Sequence, residues 1–327
     1  PWTRGDLFEH VIAASPATTN HVLIDACNAY FMVARRGGTE EVGDFSALIR
    51  DFLDRESLAA YPDTGVFLST SSANEVHEWG RIEAGIFSHV IRSAISGAAD
   101  ANGDGAVDYD EVNAYIAAAN GDLPDRKTRL EVFARPPAQN LREPLARIPD
   151  RGARVHIPAR WSGRYYLEDD RGVRFADFNK TAEVSLDLRL VPRPRYYLRS
   201  DDREYLVEPA SATSTTRVED VDAQPLTLAA RGSVNDAFAR HLFAIPFGPQ
   251  FVAGYKQASF TATTSLEVVA SPGSDLEPWR WASLAVAGGL AVTSGTLELL
   301  SRSAANDFRN GAGADADLAA TQGRAES

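Results

Sequence analysis

The residues best suited to covalent chemistry are concentrated near the beginning of the sequence. Asp25 and Cys27 follow the apolar residues Val22, Leu23 and Ile24, and Cys27 is the only cysteine among the 327 residues. A short apolar run of this kind predicts a buried parallel strand, and active sites form at the carboxyl ends of such strands. A thiol held there can act as a nucleophile when a histidine lies near it in space. The alternative is that Cys27 is a small buried apolar side chain.

A second group of residues has the spacing of calcium ligands. Residues 100–111 fit the EF-hand loop position by position. Gly105 allows the sharp turn at the sixth position, and Val107 is the apolar residue at the eighth. Five side chains and one backbone carbonyl fall at the ligand positions: Asp100, Asn102, Asp104, Ala106, Asp108 and Glu111. This pattern predicts a Ca²⁺ site, either structural or regulatory; the alternative is a polar turn without a metal.

The elements that must position these residues follow an α/β alternation over residues 1–120. Helices are predicted where apolar residues recur at helical spacing, and strands where short apolar runs occur. The predicted helices span 6–14, 44–58 and 83–96, and the predicted strands span 22–25 and 66–70. The calcium loop follows the third helix, and residues 109–118 are predicted to form another helix after it.

The middle of the chain changes from helical patterns to strands. Residues 121–150 contain five prolines and predict a linker with one strand at 130–134. Residues 151–232 alternate with period two, which predicts a β-rich module, a small antiparallel sandwich or barrel. Its predicted strands span 154–157, 164–168, 183–190, 195–198 and 204–207. We expect His156 and His241 to have structural roles.

An apolar segment near the end of the sequence has the length of a membrane-spanning helix. After a mixed connecting region at 233–278, the segment 281–300 contains twenty mostly apolar, small residues, about the number that crosses a bilayer. Trp281 lies where aromatic residues mark the membrane interface, so we predict a transmembrane helix at 279–301. The alternative is a soluble helix buried against another domain. Residues 302–327 are predicted to be disordered.

Composition narrows the possible classes of protein. The formal net charge of −12 argues against non-specific nucleic-acid binding. A single cysteine excludes a disulfide scaffold and is typical of a reducing compartment. The apolar fraction of 44% is that of an ordinary globular protein, and the length allows two domains.

Several blocks of the sequence resemble the caspase-like cysteine peptidases, in particular their metacaspase-related bacterial members. The resemblance covers residues 3–119. In the family's order, the blocks are residues 22–27, 66–75 and 85–100. It implies that Cys27 is the nucleophile and that Asp25 lines the S1 pocket, where a carboxylate selects arginine or lysine. The family's catalytic histidine lies in a Ser-Gly-His element before the cysteine, which is not found here, and Asn28 replaces the usual residue after the cysteine.

The predicted fold is an α/β caspase-like domain, incomplete at its N-terminus and carrying the EF-hand-type loop, followed by a mainly β, sandwich-like domain and a C-terminal transmembrane helix. The predicted function is a calcium-binding cysteine endopeptidase that cleaves peptide or protein substrates after Arg or Lys. We expect the histidine to lie upstream of Pro1, so that this chain alone has little activity. We also expect a membrane anchor with the peptidase-like domain in the cytoplasm. The alternative is a non-catalytic, membrane-tethered scaffold or a calcium-binding interaction protein.

Overall fold

A computed structural model describes residues 6–25, 58, 60–70, 78–79, 84–124, 129–148, 152–226 and 240–269. Cys27, residues 44–57 of a predicted helix and the apolar segment 281–300 lie outside the described residues. The chain forms two compact units, Pro1–Val252 and Ala253–Ser327. Within the described ranges, no helix is long and apolar enough to cross a membrane. The transmembrane helix at 279–301 stays a prediction.

Short strands make up much of the described part of the chain. In chain order, the strands are β1 (Asn20–Asp25), β2 (Thr64–Thr70), β3 (Glu78–Trp79), β4 (Ala84–Gly85), β5 (Ala106–Val107), β6 (Glu131–Arg135), β7 (Ala146–Arg147), β8 (Arg154–Ile157), β9 (Gly163–Asp169), β10 (Arg174–Lys180), β11 (Leu186–Arg189), β12 (Tyr196–Arg199), β13 (Arg203–Val207), β14 (Thr215–Arg217) and β15 (Ala223–Pro225). The helices are α1 (Asp6–Ile12), wound as a π-helix, α2 (Ile86–Ser93), α3 (Tyr109–Asn120) and α4 (Pro249–Val269). A π-helical turn, Ala94–Ala98, continues α2.

The first sheet has the order β1-β2-β6, with β1 parallel to β2 and β6 antiparallel to it. The strands predicted at 22–25 and 66–70 are therefore confirmed. The predicted burial of the first strand is wrong for one of its faces. Val22 and Ile24 pack against the apolar cluster that includes α1, whereas Leu23 is 40% exposed and Asp25 is exposed. Side chains alternate along a strand. The face of β1 that carries Val22 and Ile24 is therefore packed, and the face that carries Leu23 and Asp25 is more exposed.

Helices α2 and α3 lie on the other side of this sheet from α1. Tyr109, the first residue of α3, stacks on Phe67 of β2 with ring centroids 4.8 Å apart. Gly65 makes this possible, since a Cβ at that position would lie 2.0 Å from the Tyr109 hydroxyl. The helix predicted at 83–96 corresponds to α2 and the turn that continues it.

The segment 121–150, predicted to be a linker, takes part in both neighbouring sheets. Strand β6, displaced by one residue from the prediction, pairs with β2. Strand β7 pairs with β5, which belongs to the predicted calcium loop. The segment therefore pairs with both the first sheet and the loop, and it also connects them along the chain to the β-rich module.

The β-rich module contains two sheets. One is five-stranded and antiparallel, in the order β10-β9-β12-β13-β15; the other has the order β11-β8-β14, with β14 parallel to β8. The five predicted strands are confirmed within a few residues at their ends, and the sandwich arrangement stays a prediction. Strand β10 was not predicted, because Arg174, Asp177 and Lys180 interrupt its apolar pattern although all three are buried.

A buried polar network joins α2 to β10. Both carboxylate oxygens of Asp177 are bound, Oδ2 by His89 Nε2 at 2.8 Å and Oδ1 by the Arg174 guanidinium at 2.7 Å. The Asp177 backbone donates to Ser93 Oγ at 3.1 Å and accepts from the Tyr115 hydroxyl. Burial alone would raise the pKa of Asp177, but Arg174 and His89 hold this pKa below its ordinary value.

The partners of His89 determine which of its nitrogens carries the hydrogen. Arg92 lies 2.9 Å from His89 Nδ1, and a guanidinium can only donate. Nδ1 therefore accepts, and Nε2 donates to Asp177. The same guanidinium donates to the backbone carbonyls of Arg174 and Phe175, so α2 is bound to β10 at several points.

We expect Asp177→Ala to lower the free energy of unfolding by about 3–5 kcal/mol, because it removes the buried carboxylate that compensates for the buried charge of Arg174. Asp187→Ala is the matched control. It removes an aspartate that also binds a histidine at 2.8 Å, but in a pair whose side chains are 18% and 38% exposed instead of 0% and 1%. Its effect should stay below about 1 kcal/mol. Urea unfolding of both variants measures the difference, and equal losses would contradict the assigned role of Asp177.

Candidate functional site

Asp25 ends β1 and lies next to the first turn of α2. Its side chain is exposed, and Oδ2 accepts a hydrogen bond from the hydroxyl of Ser88. Gly85, which precedes α2, leaves room for the carboxylate, since a Cβ there would lie 2.8 Å from Asp25 Oδ2. An exposed carboxylate fixed by one hydroxyl can still accept hydrogen bonds from a guanidinium or an ammonium group.

Cys27 follows Asp25 by two residues and lies outside the described part of the chain. Its assignment as the nucleophile stays a prediction. The strand that leads to it is described: β1 runs parallel to β2, and Asp25 is paired with Ser69. The carboxyl ends of both strands thus lie side by side, at the kind of edge where α/β sheets form active sites.

None of the histidines in the described part of the chain is hydrogen-bonded to Asp25. Four of them have a partner 2.8 Å away: His21 with Tyr109, His89 with Asp177, His156 with Asp187 and His241 with Asp122. His10 is exposed on α1, and His77 lies outside the described residues. The aspartate partners of His156 and His241 are consistent with the structural roles expected for these two residues.

Hydrogen bonds within residues 100–105 give the predicted calcium loop its turn. Asp100, at the first position, accepts from the backbone N–H groups of Gly103, Asp104 and Gly105 at 2.8, 3.2 and 3.0 Å. Gly105 has a φ of +76°, a conformation that glycine adopts without strain. The sixth position of the loop therefore has the backbone that its glycine predicted.

The second half of the loop begins α3. Asp108 is the N-cap residue and forms a capping box with Glu111. The Glu111 N–H donates to Asp108 Oδ1 at 2.7 Å, and the Asp108 N–H donates to Glu111 Oε2 at 3.1 Å. The other oxygen of Glu111 accepts from the N–H of Ala101 at 3.2 Å. Glu111 thereby connects the end of the loop to its beginning.

Two carboxylates of the loop are buried without a compensating cation among the described residues. Asp100 is 8% exposed and Glu111 is 3% exposed. Burial raises the pKa of both, and for Glu111 the neighbouring charges of Asp108 and Asp100 raise it further, to about 7. A bound divalent cation would neutralise these charges.

The chemistry of the loop fits calcium, although its carboxylates are not gathered around one point. Carboxylate, amide and backbone carbonyl oxygens are the ligands that Ca²⁺ takes in proteins. Across the described ranges, however, no group of three or more His, Cys, Asp or Glu side chains is arranged to hold a metal ion. Calcium would therefore have to draw the carboxylates of the loop, Asp100, Asp104, Asp108 and Glu111, closer together, with Asn102 and the carbonyl of Ala106 as further ligands.

Residues that sequence reasoning missed lie between the loop and β1. Ser88 and Tyr109 each give β1 a hydroxyl partner. Both fall within sequence blocks singled out above, but at positions to which those patterns assign no role. His21 also belongs to β1, and its Nδ1 lies 2.8 Å from the Tyr109 hydroxyl. Burial lowers the pKa of His21, which favours the neutral imidazole.

No family model matches this chain, and neither a curated protein nor a solved structure matches it significantly. The resemblance to caspase-like peptidases therefore depends on the sequence blocks within residues 3–119.

Titration of the protein with CaCl₂ should give a measurable heat of binding in a calorimeter. Glu111→Gln should weaken the affinity by at least about tenfold, because the twelfth position of such a loop supplies a bidentate carboxylate. Asp110→Asn is the matched control: it removes one negative charge from the same turn but no predicted ligand. The absence of heat with the unchanged protein would refute the calcium site.

In the absence of calcium, we expect Glu111 to make stability fall as the pH rises from about 4.5 to about 7. The folded state binds this proton more tightly than the unfolded state, so removing it destabilises the folded state, by roughly 2–3 kcal/mol. The measurement compares urea unfolding of the unchanged protein and Glu111→Gln in EDTA at pH 5 and pH 7. A difference between the two proteins that does not change with pH would contradict the prediction.

Proposed function

We propose that this protein is a calcium-binding, caspase-like cysteine endopeptidase that cleaves after arginine or lysine. The observation that carries the proposal is the exposed carboxylate of Asp25 at the carboxyl end of a parallel strand, two residues before the only cysteine. A rigid strand leading to both residues provides the positioning that covalent catalysis requires.

The proposed chemistry divides peptide hydrolysis into two steps. The thiolate of Cys27 attacks the carbonyl carbon of the scissile bond, and a histidine transfers a proton to the leaving amine. Water then hydrolyses the thioester. Backbone N–H groups near the cysteine would stabilise the developing oxyanion. The histidine would come from outside the described residues.

Asp25 is proposed to select the residue on the amino side of the cleaved bond. Its Oδ2 is already bound by Ser88, which fixes the orientation of the carboxylate. A guanidinium can donate two parallel hydrogen bonds to a carboxylate, and an ammonium group can donate one. The charge of Asp25 therefore favours arginine, and to a lesser degree lysine, over neutral or acidic side chains.

Calcium binding by residues 100–111 is the second part of the proposal. The loop has the glycine turn at the sixth position and the oxygen ligand types that Ca²⁺ takes in proteins. When bound, the ion would supply the positive charge that Asp100 and Glu111 lack among the described residues.

The second candidate is a calcium-binding scaffold without catalytic activity. The partners of the described histidines favour it: His21 and His89 are each occupied by a hydrogen bond that does not involve Asp25. A protein with the same strand and loop but no histidine beside Cys27 would keep the calcium site and lose the peptidase chemistry.

Hydrolysis of an arginine-terminated fluorogenic peptide by the full-length protein separates the two candidates. Cys27→Ala should abolish hydrolysis. Asp25→Asn should lower kcat/KM for the arginine substrate by about tenfold to a hundredfold, the effect of losing a hydrogen bond to a charged group. The same variant should have little effect on a matched peptide that ends in a neutral residue.

Hydrolysis that persists in Cys27→Ala would refute the nucleophile. Absence of hydrolysis in the unchanged full-length protein, together with calcium binding by calorimetry, would establish the scaffold instead.

A further inference from the structure

One face of the sheet β11-β8-β14 carries a concentration of arginine side chains. The opposite face supplies buried apolar residues, and side chains alternate along a strand; these buried residues are Val155, Ile157, Leu186 and Leu188. The register of the strands arranges the other face in two rows, Arg189-Arg154-Thr215 and Asp187-His156-Arg217. The side chains at both ends of the first row are exposed, and Arg154 between them is half-buried. This face is therefore polar and accessible to a ligand.

Arg154 of β8 and Arg189 of β11 lie directly opposite each other. The N–H of Leu190 donates to the carbonyl of Ala153 at 2.8 Å, which makes the two arginines the adjacent pair, without backbone hydrogen bonds between them. In such a pair the Cα atoms are only about 4.5 Å apart and the side chains are closest. We call Arg154 and Arg189 the arginine pair. Like charges in this arrangement repel each other.

The acids beside the arginine pair bind other cations. Asp187 Oδ1 lies 2.8 Å from His156 Nδ1. Glu219 forms ion pairs with Arg160 at 2.6 Å and with Arg217 at 3.3 Å. The residues named on and beside this face thus comprise four arginines and two acids, in a chain whose formal net charge is −12. A concentration of cations on an acidic protein indicates a surface for an anion.

A phosphate monoester matches the arginine pair better than a carboxylate does. A carboxylate carries one negative charge, whereas a phosphate monoester carries about −1.5 to −2 at pH 7 and offers three acceptor oxygens. A guanidinium can donate two parallel hydrogen bonds to such a group, so one phosphate can bind both arginines. Thr215 Oγ1 accepts from Arg154 Nε at 2.8 Å, which orients this guanidinium, and the threonine hydroxyl retains a hydrogen to donate.

We propose that this face of the β-rich module binds a phosphorylated serine or threonine of a partner protein, with the phosphate between Arg154 and Arg189. Arginine clusters are a recurring means of recognising phosphorylated peptides. The inference concerns the β-rich module alone, so it depends neither on the proposed peptidase chemistry nor on calcium binding.

The composition of the face favours a single phosphate over a membrane surface. None of the described residues in β8, β11 and β14 is an exposed large apolar side chain, and such side chains contribute much of the binding of proteins to the membrane interface. Asp187 and Glu219 flank the arginines and would be repelled by a continuous layer of anionic headgroups. A discrete anion can contact the arginine pair without approaching these acids.

Fluorescence anisotropy with the full chain tests the proposal. The probe is a labelled peptide of glycine and alanine with one central phosphoserine, compared with the same peptide carrying serine or glutamate. We expect the phosphopeptide to bind at least about tenfold more tightly than either, because only the phosphate can bind both arginines. Arg154→Gln and Arg189→Gln should each weaken its affinity by about tenfold to a hundredfold, the effect of losing hydrogen bonds to a charged group.

Arg203→Gln is the matched control. Arg203 is an exposed arginine of β13, in the other sheet of the module, and its replacement removes the same charge without touching the arginine pair. It should leave the affinity unchanged. Urea unfolding of Arg189→Gln should show no loss of stability, because this variant relieves the repulsion between like charges. Weaker binding by Arg189→Gln would then report the site and not misfolding.

Three results would overturn the proposal. The first is equal affinity for the phosphorylated and unphosphorylated peptides, or equal weakening in Arg189→Gln and Arg203→Gln. The second is binding to vesicles of phosphatidylcholine and phosphatidylserine that Arg189→Gln abolishes, without binding of the phosphopeptide, which would assign the face to a membrane. The third is binding of inorganic phosphate as tight as that of the phosphopeptide, which would leave a site for a free ion only.

Discussion

The buried carboxylate of Asp177 is the constraint on which the arrangement of the described elements depends. An ionised group can be buried only when other charges and hydrogen bonds compensate for the lost water. Arg174 supplies that compensation from the same strand, β10, and His89 supplies it from α2, so full compensation requires the helix to lie against the strand. The β-rich module is thereby part of the structure that positions α2, and α2 carries the Ser88 hydroxyl to Asp25.

The loop 100–111, predicted to bind calcium, presents the opposite electrostatic situation in the same compact unit. Asp100 and Glu111 are also buried, but within the described part of the chain their neighbours are other carboxylates and backbone N–H groups. The hydrogen bonds satisfy the oxygens without neutralising their charge. Such a loop is held in its turn by Gly105 and by the capping box, yet it favours either a proton or a cation.

Strand β1 is hydrogen-bonded to both helices that flank the loop, to α2 through Asp25 and to α3 through His21. One of its faces contributes Val22 and Ile24 to the apolar cluster, and the other presents His21 and Asp25 to the helices. The exposure of this second face follows from the alternation of side chains along a strand that is only partly covered. The carboxylate of Asp25 remains exposed, while the hydroxyl of Ser88 on α2 fixes its orientation.

The sequence by itself determined the features that depend on neighbours along the chain. The period-two strands of the β-rich module, the strands that begin and end the first sheet, and the turn at Gly105 follow from residues only a few positions apart. The tertiary structure alone decided the pairing of His21 with Tyr109 and of His89 with Asp177, since each pair joins residues 88 positions apart. It also decided that β10 is a strand and that residues 121–150 contribute strands to two sheets. In the sequence, a polar side chain that will be buried cannot be told from one that will be exposed. Its burial requires a hydrogen-bond or charge partner, and only folding brings that partner next to it.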